Sequence, residues 1–169
     1  RAEAPAFNPV HGTFIHVEPR LSLTAANADE WVRNAPGTEG VLALAILKVI
    51  ADEGLQAPGV DVAALRAAAA GPDLEAAARQ SGVRAETIKH MARAFAQAKP
   101  GLAIGGGVAA TGTDAVETQV AIHLLNYAAG NLGRTVRFGP DSAFGNASPY
   151  ADMVTLTQAM ANGEIEILL

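Results

Sequence analysis

The sequence contains no cysteine, few aromatic residues and no long hydrophobic run. The lack of cysteine excludes disulfides, thiolate-bound zinc and cysteine-held iron–sulfur clusters within the chain. The longest apolar stretch, residues 41–50 with Lys48 inside it, is too short to cross a bilayer, which needs about 20 residues. Basic runs are absent as well and the net charge is -5, so the composition argues against nucleic-acid binding.

Alanine makes up much of the hydrophobic half of this chain of 169 residues. Alanine-rich helices packed closely on a sheet would account for that composition, and the length suits one domain with a sizeable core. The chain begins at Arg1 rather than Met, shows no signal peptide, and ends in the apolar run 165–169. That run looks like a buried strand that stops. We therefore expect residues 1–169 to be a partial domain that continues beyond both ends.

Strand and helix patterns alternate after an irregular lead-in at residues 1–8. The predicted strands are 13–17, 102–104, 136–138 and 165–169, with a short extended piece near 29–32. The predicted helices are 38–53, 62–70, 73–80, 85–98, 114–129 and 148–161. The first helix is expected to bury Leu42, Ile46 and Val49, and the helix 114–129 to bury Val116, Val120, Ile122, Leu124 and Leu125. The alternation predicts an α/β fold, with a parallel Rossmann-like sheet, helices on both faces, and a place in a larger multidomain protein.

Glu18 directly follows the predicted strand 13–17. In Rossmann-like folds an acid at this position accepts hydrogen bonds from a ribose hydroxyl. The alternative is an exposed acid at a strand end, where Pro19 interrupts the ladder.

The segment Pro36-Gly37-Thr38-Glu39 opens a predicted helix. The unpaired N–H groups and positive dipole of a helix start can hold a phosphate, or Thr38 can cap the helix itself. On local grounds capping is favoured.

The glycines Gly105, Gly106 and Gly107 lie between a predicted strand and a predicted helix. Glycines allow backbone N–H groups to approach a phosphate, but Ala110 stands where a full G-x-G-x-x-G motif has its last glycine. A sharp turn without a ligand is the favoured interpretation.

The histidines predict no metal centre, because only Glu86 and His90 are one helical turn apart and two ligands are too few. We expect that pair to be a surface contact on its helix. The sequence shows no nucleophile and no general-base pair. Trp31 and Tyr127 are expected to be packing residues. The other histidines are His11, His16 and His123.

Several of these pieces occur in an unusual order. The triplet Glu18-Pro19-Arg20 ends a strand, the segment 24–29 reads Thr-Ala-Ala-Asn-Ala-Asp, and Pro36–Glu39 opens a helix. Later come Ala98-Lys99-Pro100, the three glycines, and a helix end reading Gly-Asn-Leu-Gly at 130–133. This order resembles the molybdopterin oxidoreductases of the dimethyl-sulfoxide-reductase superfamily over nearly the whole chain.

Two departures from the family pattern stand out: Glu18 and Glu39 replace aspartates. The glycine-rich continuation of catalytic members is also missing after Gly133, where the chain reads Arg-Thr-Val-Arg-Phe-Gly. The variant looks like the cofactor-free molybdopterin-type domain in the iron–sulfur subunit of alternative complex III, a quinol:electron-acceptor oxidoreductase of bacterial membranes.

The resemblance implies a non-catalytic domain with no cofactor of its own in this segment and with iron–sulfur clusters elsewhere in the parent protein. Its partners would be other subunits of a membrane electron-transfer complex, including an iron–sulfur domain, on the periplasmic side of the inner membrane. The vestigial cofactor-binding positions would be Glu18, Arg20, Gly37, Thr38, Glu39, Gly105 and Gly106.

Two alternatives stay open. The chain could belong to a catalytic molybdenum or tungsten oxidoreductase that binds a molybdopterin guanine dinucleotide, in the periplasm or the cytoplasm. It could also be a generic nucleotide-binding α/β domain.

Overall fold

A computed structural model describes residues 12–71, 73–107, 112–139 and 147–165 of the chain. Within these ranges lie two strands and seven helices. In chain order they are β1 (Ile15–Val17), α1 (Leu23–Ala26), β2 (Glu30–Val32), α2 (Glu39–Asp52), α3 (Val62–Ala68), α4 (Leu74–Ser81), α5 (Ala85–Gln97), α6 (Ala115–Ala128) and α7 (Tyr150–Ala161). They fall into two compact units, which divide between Val136 and Arg137.

The two strands pair in parallel, with Ile15 opposite Glu30 and Val17 opposite Val32. Alternate residues of a strand point to opposite faces, so Val32 enters the core while Trp31 stays partly exposed. The short helix α1 makes the crossover, and Ser22 caps it by accepting a hydrogen bond from the Ala25 N–H. The predicted α/β class with a parallel sheet is confirmed.

Helix α2 lies at the centre of the first unit and contacts α3, α4, α5 and α6. Leu42, Leu47 and Ile50 are fully or almost fully buried, and Ile46 packs against both apolar clusters of the core. A helix covered on most sides must be apolar on most sides, as this one is. The predicted helix 38–53 is confirmed, and Gly54, with φ of 69°, follows its end.

Acidic caps fix the starts of two shorter helices. Asp61 accepts hydrogen bonds from the N–H groups of Ala63 and Ala64, and Asp73 accepts one from Ala76. Gly82, with φ of 72°, ends α4 in the left-handed conformation that glycine adopts at low cost. These local signals explain why the predicted and observed helix boundaries agree closely.

The predicted strand 102–104 is wrong. This segment belongs to no strand, and Leu102 and Ile104 are exposed. Asn126 of α6 takes the place of a neighbouring strand by binding both backbone groups of Ala103. The predicted strand 136–138 is also wrong, since only an isolated bridge joins Leu132 to Val136.

The predicted buried face of α6 needs correction. Val116 is 72% exposed and Val120 is 52% exposed, while Thr118, Ala121, Leu125, Asn126 and Ala128 are buried. Small and polar side chains permit the close approach of α6 to α2, where Gly40 meets Thr118. Leu125 is buried as predicted, and Ile122 and Leu124 are partly buried against the core, so the prediction is wrong for Val116 and Val120.

In the second unit, α7 confirms the predicted helix 148–161, and none of its residues is buried. Glu164 and Ile165 are not in a strand. The rest of the predicted strand 165–169, like the predicted lead-in 1–8, lies outside the described residues.

Candidate functional site

Glu18 lies at the carboxyl end of β1, where its backbone N–H donates to the Val32 carbonyl at 3.3 Å. Its carboxylate is turned onto neighbouring side chains: Oε2 is 3.3 Å from His16 Nε2, and Oε1 is 3.5 Å from Arg20 Nε. The side chain is only 13% exposed. Glu18 is therefore not the exposed strand-end acid of the alternative prediction.

A hydrogen bond from the Ser22 side chain is the main cause that holds the pKa of Glu18 below its ordinary value. Contacts with His16 and Arg20 act in the same direction, and desolvation opposes them. The acid is therefore ionised at neutral pH, and its acceptor positions face groups of the chain itself.

Thr38 occupies the N-cap position of α2 but makes no side-chain cap, contrary to the prediction. Its hydroxyl donates to the Ala35 carbonyl at 2.6 Å and accepts from Asn34 Nδ2 at 3.2 Å. Gly37 has φ of 75°, which explains the glycine at this turn. The first N–H groups of α2 are thus left without a side-chain cap, and the half-buried Glu39 occupies its first turn.

Asn34 adds an unsatisfied acceptor to this loop. It is 4% exposed, and its Oδ1 atom is buried without a hydrogen-bond partner. Sequence reasoning did not identify this residue, because a lone asparagine after a strand carries no distinctive signal.

The glycine turn has structural reasons for its composition. A Cβ at Gly105 would lie 2.7 Å from Nε2 of Gln119, and Gly106 has φ of 140°. Close packing on α6 and a backbone that other residues rarely adopt therefore require glycine without any phosphate. The favoured interpretation as a turn fits this geometry. Ala110 lies outside the described residues.

Helix α6 connects two of the predicted segments. Its Thr118 lies against Gly40, the residue that follows Glu39. The next residue of α6, Gln119, lies against Gly105. Glu18 follows the carboxyl end of β1, and the segment that leads into α2 follows the carboxyl end of β2, which lies at the same edge of the parallel pair. Arg20, whose side chain is 76% exposed, stays beside Glu18.

The predicted contact between Glu86 and His90 is wrong. His90 Nε2 is 3.0 Å from both carboxylate oxygens of Glu30, and Glu86 pairs with Lys89 at 2.9 Å. Glu30 and His90 are 60 positions apart, so sequence spacing gave no signal for this contact. Of the other two histidines in the described ranges, His16 contacts Glu18 and His123 is exposed, while His11 lies outside them.

The remaining predictions about the described residues concern a metal site and the two aromatic residues expected to pack. No three histidine or acidic side chains there are arranged to hold a metal ion. Trp31 is 38% exposed, and its indole N–H donates to the Glu18 carbonyl at 3.0 Å. Tyr127 is 36% exposed.

The chain matches no protein-family model. It is 34% identical over 121 residues to the "menaquinone reductase, molybdopterin-binding-like subunit" of Nitratidesulfovibrio vulgaris, covering 72% of this chain and 17% of that protein. It is 52% identical over 44 residues to a sulfite dehydrogenase subunit of Allochromatium vinosum, covering 26% of this chain and 5% of that protein. Its fold is similar to acetylene hydratase from Pelobacter acetylenicus, with a TM-score of 0.63 and 25% identity over 70% of this chain and 17% of that one.

The chain is a molybdopterin-oxidoreductase-like domain. This confirms the resemblance drawn from the strand-end triplet, the helix-opening segment and the glycine turn. The domain spans less than a fifth of the length of the menaquinone reductase subunit. Among its described residues, no helix is both long and apolar enough to cross a membrane.

Proposed function

We propose that this domain is a scaffold without its own redox centre in a membrane-associated quinol:electron-acceptor oxidoreductase of the alternative complex III kind. The carboxylate of Glu18 carries the proposal. It is the acid expected to hold a ribose, yet it faces His16, Arg20 and Ser22 of the same chain. The site therefore fits a dinucleotide poorly at Glu18, because binding would have to replace these contacts.

The glycine turn supports the same proposal. Packing against Gln119 and the positive φ of Gly106 account for the glycines at 105 and 106 without a ligand. The name of the N. vulgaris relative supports a quinone context for the parent complex. We take residues 1–169 as part of a larger subunit that continues the parallel sheet in a Rossmann-like manner. Its iron–sulfur clusters would lie in another domain, and the complex would face the periplasm.

The uncapped start of α2 favours a second function, as part of a molybdenum or tungsten oxidoreductase. In that case Gly37 and the first N–H groups of α2 would face a phosphate, and Glu39 would contact the guanine of the dinucleotide. Asn34 Oδ1 offers a buried acceptor beside that loop. The bound cofactor would supply the redox chemistry, and these residues would only hold and orient it.

Glu39→Gln in the full parent protein distinguishes the two functions. If the domain is a scaffold, folding and quinol oxidation should remain nearly unchanged, because an acid in a first helical turn contributes only about 0.3–1 kcal/mol. Glu75→Gln, at the first turn of α4, is the matched control. A Glu39→Gln protein that folds normally but loses turnover or bound pterin would refute the scaffold function and support the second one.

A further inference from the structure

The outer edge of β2 offers unpaired backbone groups. Glu30 and Val32 bond to β1, through Glu30 N–H to the Phe14 carbonyl and Glu18 N–H to the Val32 carbonyl. Successive residues of a strand direct their backbone groups to opposite sides. Trp31 and Arg33 therefore direct their N–H and C=O groups away from β1, and β1 is the only strand paired with β2 among the described residues.

A surface cleft of about 670 Å³ runs along this outer edge. One wall consists of β2 and the following Arg33, and the other consists of the turn 82–84 with Glu86, Thr87 and His90 of α5. A second cleft of about 410 Å³ shares the turn 82–84 and extends the surface to Arg79. The turn 82–84 therefore lines both clefts and faces the edge of β2 across the larger one.

The acidic and basic side chains that line the two clefts differ in whether they have an ion-pair partner. Both acids of the larger cleft already have partners within the chain, since Glu30 contacts His90 and Glu86 contacts Lys89. The arginines Arg33, Arg79 and Arg84 make no ion pair with any residue in the described ranges. Arg33 and Arg84 are therefore two cations without an ion pair beside the strand edge, in a chain whose net charge is -5. Arg79 lies in the second cleft together with Glu75, which also makes no ion pair within the described ranges.

We propose that an extended acidic segment of a partner protein docks here and adds a strand to the outer edge of β2. Its backbone would pair with Trp31 and Arg33, and its carboxylates would contact Arg33 and Arg84. The inference goes beyond the scaffold function and does not depend on it, since it holds with or without a bound pterin.

A small anion fits the edge less well than a peptide does. A phosphate can accept hydrogen bonds from N–H groups, but one small anion cannot match the spaced N–H and C=O groups of both Trp31 and Arg33. A peptide backbone offers donors and acceptors in alternation, which is the pattern of a strand edge. Its side chains can at the same time reach arginines on the facing turn.

The test uses the full parent protein and a short end-blocked peptide of alternating glutamate and valine. We expect binding that weakens with added salt, and a loss of about twofold to fivefold in affinity for each of Arg33→Gln and Arg84→Gln. Arg134→Gln, at an exposed arginine away from the clefts, is the matched control and should bind as the wild type does. Equal affinity of all three variants, or no binding, would overturn the proposal.

Hydrogen exchange of single amides tests the strand pairing itself. The Trp31 and Arg33 amides should exchange rapidly in the parent protein and slow by about tenfold or more when the peptide binds. A peptide with alternate amides methylated keeps its charge but cannot pair, and it should not bind. Unchanged exchange, binding of the methylated peptide, full competition by inorganic phosphate, or amides already protected in the parent would each contradict strand addition.

Discussion

The side chain of Asn126 forms hydrogen bonds with both the N–H and the C=O group of Ala103. The Ala103 N–H donates to Asn126 Oδ1 at 2.9 Å, and Asn126 Nδ2 donates to the Ala103 carbonyl at 2.8 Å. Asn131 Nδ2 supports the arrangement by donating to Asn126 Oδ1 at 3.1 Å. A buried side chain of α6 thus does for the segment 102–104 what a paired strand does in a sheet.

Asn126→Ala should therefore lower the free energy of unfolding by about 1–3 kcal/mol, because it leaves two backbone groups of Ala103 unpaired. Urea denaturation measures the change. Asn27→Ala, at an exposed asparagine with a single backbone contact, should have a clearly smaller effect. Equal effects of the two substitutions would show that the contact with Ala103 is unimportant.

The close approach of Gly40 to Thr118 gives a second prediction. A Cβ at Gly40 would lie 2.6 Å from Thr118 Oγ1, so Gly40→Ala should destabilise the domain by about 1–3 kcal/mol. In a Thr118→Ala background the clash is removed, and the same change should be neutral or slightly stabilising. Denaturation of the four proteins measures this coupling. Additive effects would contradict it.

Ile46 connects the two apolar clusters of the core. Ile46→Asp should lower the free energy of unfolding by on the order of 3 kcal/mol or more, because it places a charge in an apolar contact. Ile46→Leu keeps the volume and should cost less than about 1.5 kcal/mol. If both variants melt at the wild-type temperature, α2 does not have the central role described above.

Glu53 and Arg93 predict a dependence of stability on pH. Two hydrogen bonds, of 2.7 and 2.8 Å, join them, and the hydrogen bond from Arg93 is the main cause that lowers the pKa of Glu53 below its ordinary value of 4.5. A carboxyl group whose pKa is lower in the folded state stabilises the fold at pH values above its unfolded pKa. That contribution is lost as the pH falls through its folded pKa. A double-mutant cycle of Glu53→Gln and Arg93→Gln should thus show coupling at neutral pH that disappears in acid. Coupling that persists in acid would contradict this origin.

The helices could be predicted from the sequence because their signals are local. Asp61 and Asp73 cap helix starts, and Gly54 and Gly82 follow helix ends. The segment 102–104 was mistaken for a strand because apolar residues do not reveal whether a strand or an asparagine will satisfy the backbone. On α6, Val116 and Val120 were wrongly expected to be buried, because close helix packing selects small residues such as Thr118 and Ala121 over larger ones.

The candidate site could be placed only in part. The order of the motifs that contain Glu18, Gly37 and Glu39 identified the family, because the order of motifs can be read directly from the sequence. The contacts that occupy Glu18 depend on side-chain directions, and the pairing of His90 with Glu30 joins distant segments. The partners of Glu18 lie within four positions of it, but their spacing does not reveal which way the side chains point, and the pairing of His90 with Glu30 spans 60 positions. Both therefore required the fold.

The metal and pterin content of the purified parent protein tests the central claim most directly. Elemental analysis for molybdenum and tungsten, with extraction of pterin from the same sample, gives both quantities per polypeptide. Because the Glu18 carboxylate faces its own neighbours, we predict neither metal nor pterin in stoichiometric amount at the Glu18 and Glu39 face. Stoichiometric molybdenum or tungsten together with extractable pterin would contradict the scaffold function.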